Sequence, residues 1–238
     1  QKPDPQAAAA ARARADQPAP QTNDQATLAK FYFDRALAAR EIGRAKQELD
    51  DLSTALSHTG PGAAVADYEI LFNLGLAELT GGNYSRSVEY RQRAIAAVPP
   101  NRRGWLIPLH GGLAMMHASW GDLKGAEVAY GQTSQVFTES LGWTNQRPEW
   151  IASRQAWLAD AEAGISDAKG RYAEAETLYR RAIAVLTNDA VYSKHTWMDF
   201  HHSFLAGALV RQGRLLQAEN EARRAVLAAR GGYDPGVS

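Results

Sequence analysis

At 238 residues, with 26 basic and 26 acidic side chains, the chain has no surplus of positive charge, which removes the general electrostatic case for nucleic-acid binding. It has no cysteine, which excludes disulfides, thiolate metal sites and thiol nucleophiles. No apolar run approaches the roughly 20 residues that a bilayer-spanning helix needs, so no membrane insertion is expected.

Residues 1–25 form an Ala/Pro-rich amino-terminal extension with no Leu, Ile, Val or aromatic residue, and such a segment cannot build a core of its own. Within it, Gln6 to Asp16 is helical by propensity, yet so short a helix persists only if it docks. The opening Gln1-Lys2-Pro3-Asp4-Pro5 reads equally as a mature start after a removed signal peptide or as an arbitrary cut. A periplasmic or secreted location and a cytoplasmic one both stay open.

From residue 26 onward a glycine followed by a polar residue and then Ala, Leu or Tyr recurs five times: Gly43-Arg44-Ala45, Gly82-Asn83-Tyr84, Gly121-Asp122-Leu123, Gly170-Arg171-Tyr172 and Gly213-Arg214-Leu215. The intervals are 39, 39, 49 and 43 residues. Repetition at this period predicts an array of helical hairpins, each burying its apolar face only against its neighbours. The units fall near residues 26–60, 66–100, 105–140, 148–190 and 195–230, with a loop-like tail over 231–238.

In the second unit Ile70 to Leu79 carries apolar residues around most of a helix, and Gly81-Gly82 ends it through the left-handed conformation that glycine accepts. A second helix is expected from about Tyr84 to Val98, stopped by Pro99-Pro100. The widest interval holds Leu141 to Trp150, whose Gly, Asn and Pro mark a loop, and Ile151 to Lys169 is expected to follow as a long first helix. Trp143 and Trp150 on that loop are contact candidates, for a partner or, as the favoured reading, for pinning the loop onto the array.

The order Leu71…Leu74-Gly75…Gly82-Asn83-Tyr84…Ser87…Tyr90…Ala94…Pro99 resembles the tetratricopeptide repeat (TPR), departing from it at Ser87 and Arg91, where small and aromatic residues are usual. The stretch from Gly170 through Tyr172, Ala175 and Tyr179 to Ala182 resembles the second helix of that family, and partial matches in register extend the resemblance over residues 26 to 230. The long units are similar to those of kinesin light chains and to bacterial arrays that precede a caspase-like CHAT protease domain, although no protease segment is present in this sequence.

The resemblance implies an all-α fold, a right-handed superhelical array of about five TPR-like hairpins whose first helices line a concave groove. On that basis the groove residues are Phe33, Leu37 and Arg40 in the first unit and Phe72, Leu76 and Leu79 in the second. Met115 and Ser119 follow in the third, Asp160, Gly164 and Asp167 in the fourth, and Ser203, Gly207 and Arg211 in the fifth. Such a groove grades from apolar to acidic and open, and suits an amphipathic or extended peptide with an apolar anchor and a basic flank. The competing reading has Phe33, Leu37, Phe72 and Leu76 simply covered by the Ala-rich extension or by the next unit.

The chain carries no nucleophile elbow, phosphate loop, paired-histidine zinc motif or dinucleotide turn. His110 and His117 share a helix face but stand about 10.5 Å apart along it, too far to grip one ion together. His201 and His202 are adjacent and point to different faces. Asn83-Tyr84-Ser85 fits a glycosylation sequon, yet it lies in a tight turn that itself needs a polar residue. The expectation is a non-catalytic protein-interaction scaffold with a protein or peptide partner and with no cofactor and no metal. Two alternatives stand beside it: the sensing arm of a larger enzyme such as a CHAT-type protease continuing beyond Ser238, and self-association through the carboxyl-terminal repeat.

Overall fold

All five repeating glycines adopt a left-handed backbone, with φ between +74° and +84° in the computed structural model. Each closes a helix in the same way. The glycine amide bonds the carbonyl three residues back, and the next amide reaches the carbonyl five back, as in Arg44 to Ala39 at 2.9 Å, Asn83 to Glu78 at 2.8 Å and Arg171 to Ser166 at 2.9 Å. A side chain in this conformation costs about 1–2 kcal/mol, which is why glycine recurs. The structure describes residues 5–60, 63–187 and 197–229; the opening Gln1 to Asp4, His195 and the tail over 231–238 lie outside them.

The chain divides into two compact units, Gln1–Pro99 and Pro100–Ser238. The amino-terminal unit comprises α1 (Pro5–Ala15), α2 (Gln25–Glu41), α3 (Ala45–Ser57), α4 (Asp67–Thr80) and α5 (Tyr84–Ala97). The alanine-rich α1 does dock, packing Ala15 against Ala38, Ala39 and Ile42 near the end of α2. Arg14 pairs with Glu41 at 2.7 Å, and Gln47 donates to the Ala15 carbonyl at 2.6 Å. Within the α4–α5 hairpin, a Cβ on Gly75 would come within 3.3 Å of the Ser87 carbonyl, so the helices are in close approach. The buried Ser87 hydroxyl donates to the Gly75 carbonyl at 2.6 Å, which accounts for serine where the repeat usually carries a small apolar residue.

The carboxyl-terminal unit opens with a short 3-10 segment over Pro100–Trp105, followed by α6 (Leu106–Ser119), α7 (Leu123–Ser140), α8 (Pro148–Ala168), α9 (Tyr172–Leu186), α10 (Met198–Arg211) and α11 (Leu215–Ala229). These pair as α6–α7, α8–α9 and α10–α11, with α8 packed on α6 and α10 on α9. Ala163, Ala175, Tyr179, Leu205, Ala208, Leu209 and Ala218 form one core of this unit. The helix expected from Ile151 begins earlier, because Pro148 occupies its first turn, where a missing amide costs nothing and the fixed φ suits the helix. Trp150 therefore sits in a helical turn and not on the loop. No helix among the described residues is long and apolar enough to cross a membrane.

Candidate functional site

On α8, Trp157, Asp160, Gly164 and Asp167 follow one another at helical spacing and share a face. Across from them α10 supplies Phe200, His201, Phe204 and Arg211. Asp160 and His201 are both 0% exposed, and His201 Nδ1 lies 2.5 Å from Asp160 Oδ2. Burial pushes the Asp160 carboxyl above its ordinary range, opposed by His201. Asp167 pairs with the half-exposed Arg211. Burial raises the Tyr179 phenol on α9, and the charges of Asp160 and Asp167 push it the same way.

Aromatic rings crowd this face. Trp157 stands 5.5 Å from His201, 6.0 Å from Phe200, 6.1 Å from Phe204 and 5.7 Å from Trp197 between ring centroids. Among the described residues, four buried polar atoms of this face lack a hydrogen-bond partner: Trp157 Nε1, Asp160 Oδ1, Asp167 Oδ1 and His201 Nε2. Two are carboxylate acceptors, one is a donor, and the imidazole nitrogen can be either.

His202 turns the other way, as adjacent helix positions must. Its Nδ1 meets Glu221 of α11 at 2.6 Å, and Glu221 also pairs with Arg224 at 3.2 Å. Burial raises the Glu221 carboxyl, but His202 and then Arg224 outweigh it and hold it below the usual range. The two histidines thus fasten α10 to α8 on one side and to α11 on the other.

The sequence-derived groove residues fare unequally. Phe33 and Leu37 are half-buried, as are Leu76 and Leu79. Arg40 is a tie between helices, donating to Glu48 at 2.7 Å and to Asn73 at 2.9 Å. Phe72 is buried, with the Arg91 guanidinium 4.8 Å from its ring centroid. Met115 packs against Gly164, where a Cβ would come 3.2 Å from Met115 Cγ. Ser119 and Ser203 are exposed, their hydroxyls turned back to the carbonyls of Met116 and Asp199.

The fourth unit, read as open, is closed at Asp160, because His201 answers it from 41 positions away in the chain. Trp143 is held between Arg103 and Arg154, at 5.9 and 5.1 Å, so it pins its loop, whereas Trp150 is 51% exposed. His110 is buried, which disfavours its charged form, and His117 pairs with Asp122 at 2.9 Å. Among the described residues no three His, Cys, Asp or Glu side chains group closely enough to hold a metal. The Asn83 amide donates to Glu78 at 3.0 Å, in keeping with a structural role in its turn. On α11, Leu215, Leu216 and Val226 are exposed.

Sequence reasoning assigned Trp157, Tyr179 and His201 no part in a binding site. The local signal for Trp157 is position, since it precedes the groove residue Asp160 by three.

No protein-family model matches the chain, and no curated protein matches it. Solved structures do. NprR in complex with its cognate peptide NprX is 14% identical, with 89% of this chain and 58% of that one covered and a TM-score of 0.58. BtubC (BKLC) from P. vanneervenii is 15% identical over 98% of this chain and 91% of that one, at a TM-score of 0.53. A Podosopora anserina kinesin light chain with TPR-like repeats is 17% identical over 87% and 97%, at 0.47. The fold is all-α and TPR-like.

Proposed function

We propose that the protein is a non-catalytic protein-interaction scaffold, and that the face shared by α8 and α10 receives a peptide segment through a basic side chain. The observation that carries this reading is the row of four unpartnered polar atoms along Trp157, Asp160, Asp167 and His201. Buried polar groups in folded proteins are nearly all paired, so four open ones on one stripe call for a partner. Two are carboxylate oxygens; Asp160 lies one turn along α8 from Trp157, which packs with Phe200 and Phe204, and an aromatic lining attracts a cation as a carboxylate does. A lysine ammonium or arginine guanidinium supplies the donor that Asp167 lacks, and Asp160, about 10.5 Å away along α8, takes a second one.

Arg211 supports the same reading from within the chain. Its guanidinium stands on Asp167 and covers Gly207, at 3.7 Å from where a Cβ would be, while the side chain stays half-exposed. It occupies the place of the incoming cation and is the group such a cation displaces. In the amino-terminal unit the half-buried Phe33, Leu37, Leu76 and Leu79 offer an apolar surface to a peptide. That NprR was solved with a peptide supports this class of partner.

Selection of random dodecapeptides on the intact protein tests the reading. Enrichment of Lys and Arg is expected, with affinity falling at least about tenfold on Asp167→Asn. Binders without basic residues, or binders indifferent to that change, contradict it. A second reading, self-association, is favoured by the bare Leu215, Leu216 and Val226 of α11. Sedimentation showing a dimer that Leu216→Glu dissolves supports it, and a monomer at all concentrations ends it.

A further inference from the structure

In the amino-terminal unit α5 places Arg91 where the repeat usually carries an aromatic residue. The side chain is 3% exposed, and its Nε and Nη1 meet no hydrogen-bond acceptor. Between them these atoms carry three N–H donors. Nearby acids are engaged elsewhere: Glu78 with Arg86 at 3.1 Å and with the Asn83 amide, and Glu89 with Arg93 at 3.7 Å. Burial lowers the Arg91 guanidinium to about 10, so it stays charged at neutral pH. The ring of Phe72 faces it, 4.8 Å from guanidinium carbon to centroid.

A buried cation with unmet donors is far costlier than the aromatic side chain it replaces, and a cation–π contact offsets only part of that cost. We infer that Arg91 is an oxyanion-binding site, in which the guanidinium held against Phe72 takes a carboxylate or phosphate group. The planar donors of arginine match either group, where a lysine would offer only a point charge. Phe72 shares its face of α4 with Leu76 and Leu79, so the anion enters beside an apolar stripe, either free or carried by a bound segment. This inference does not depend on the reading of the α8–α10 face.

Titration calorimetry of the full chain at fixed ionic strength, with inorganic phosphate, acetate and a short glutamate peptide, tests the inference on wild type, Arg91→Met and Arg91→Lys. Wild type is expected to bind one anion per chain, Arg91→Lys about tenfold more weakly, and Arg91→Met not at all. Arg91→Met should also melt no lower than wild type in anion-free buffer, since its apolar chain replaces a buried charge with unmet donors. Glutamate peptide bound at least about tenfold tighter than acetate assigns the anion to a bound segment, and comparable affinities assign it to a free ion. Wild type that titrates none of the three, or Arg91→Met that binds as well as wild type, overturns the inference.

Discussion

Arg91 in the amino-terminal unit and Asp160 in the carboxyl-terminal unit are both ions removed from water, and their surroundings treat them differently. Asp160 has a hydrogen-bonded counterpart in His201 at 2.5 Å, whereas Arg91 lies against the face of Phe72 with Nε and Nη1 unmet. Removal of either side chain is therefore expected to act in opposite directions. Without Asp160, His201 is stripped of its partner in a fully buried place. Without Arg91, a charge with unmet donors disappears. The difference shows that burial alone does not reveal what a charge does in such an array; the partner decides it.

The largest effect that would break this comparison is on stability. Asp160→Ala is expected to cost about 3–5 kcal/mol, because breaking a buried pair leaves the remaining polar group uncompensated. Urea unfolding measures it, and a loss below about 1 kcal/mol would mean that the pair contributes nothing. Gly82→Val and Gly170→Val come next. Both glycines hold φ near +80°, at +81° and +76°, so each substitution should cost more than about 1 kcal/mol, and the two units should suffer alike. An unchanged melting temperature in either unit would contradict the shared closing geometry.

Acid sharpens the contrast within the carboxyl-terminal unit. Glu221 sits below its ordinary value of 4.5 in the folded chain, so it contributes stability above 4.5 that is lost as pH falls through the lower folded value. Asp160 sits above its ordinary value of 3.8, so falling pH relieves its burial cost between that raised value and 3.8. Thermal melts over this acid range should show a shallower loss for Glu221→Gln than for wild type. A steeper one would refute the assignment. The smallest effect belongs to Arg211→Ala: with Arg211 half-exposed, its pair with Asp167 stabilises by no more than about 1 kcal/mol, and its removal should tighten basic-peptide binding by up to about fivefold. Weaker binding would show that Arg211 helps to form the site and does not plug it.

Much of the fold is legible locally, because the conformation it needs is local. Gly43, Gly82, Gly121, Gly170 and Gly213 are each required by their own backbone, and the interval between them counts the hairpins. Pro148 misleads for the same reason in reverse: a proline is equally at home in a loop and in the first turn of a helix, and only the packing of α8 decides. The site is less legible because it joins distant positions. Asp160 looks like an open groove acid until His201 is placed against it, and Arg91 is visible as a departure from the repeat without any hint of the ring beneath it. Trp143 is different again: a tryptophan on a long loop suggests pinning by its residue type, while Arg103 and Arg154, between which it lies, come from elsewhere in the chain.

Hydrogen–deuterium exchange with a selected basic peptide tests the central claim most directly. Added peptide is expected to slow exchange along α8 and α10, from Trp157 to Asp167 and from Phe200 to Arg211, and to leave α7 and α11 unchanged. Protection confined to α7 or α11, or no protection at a saturating concentration, would contradict the assignment of that face as the binding surface.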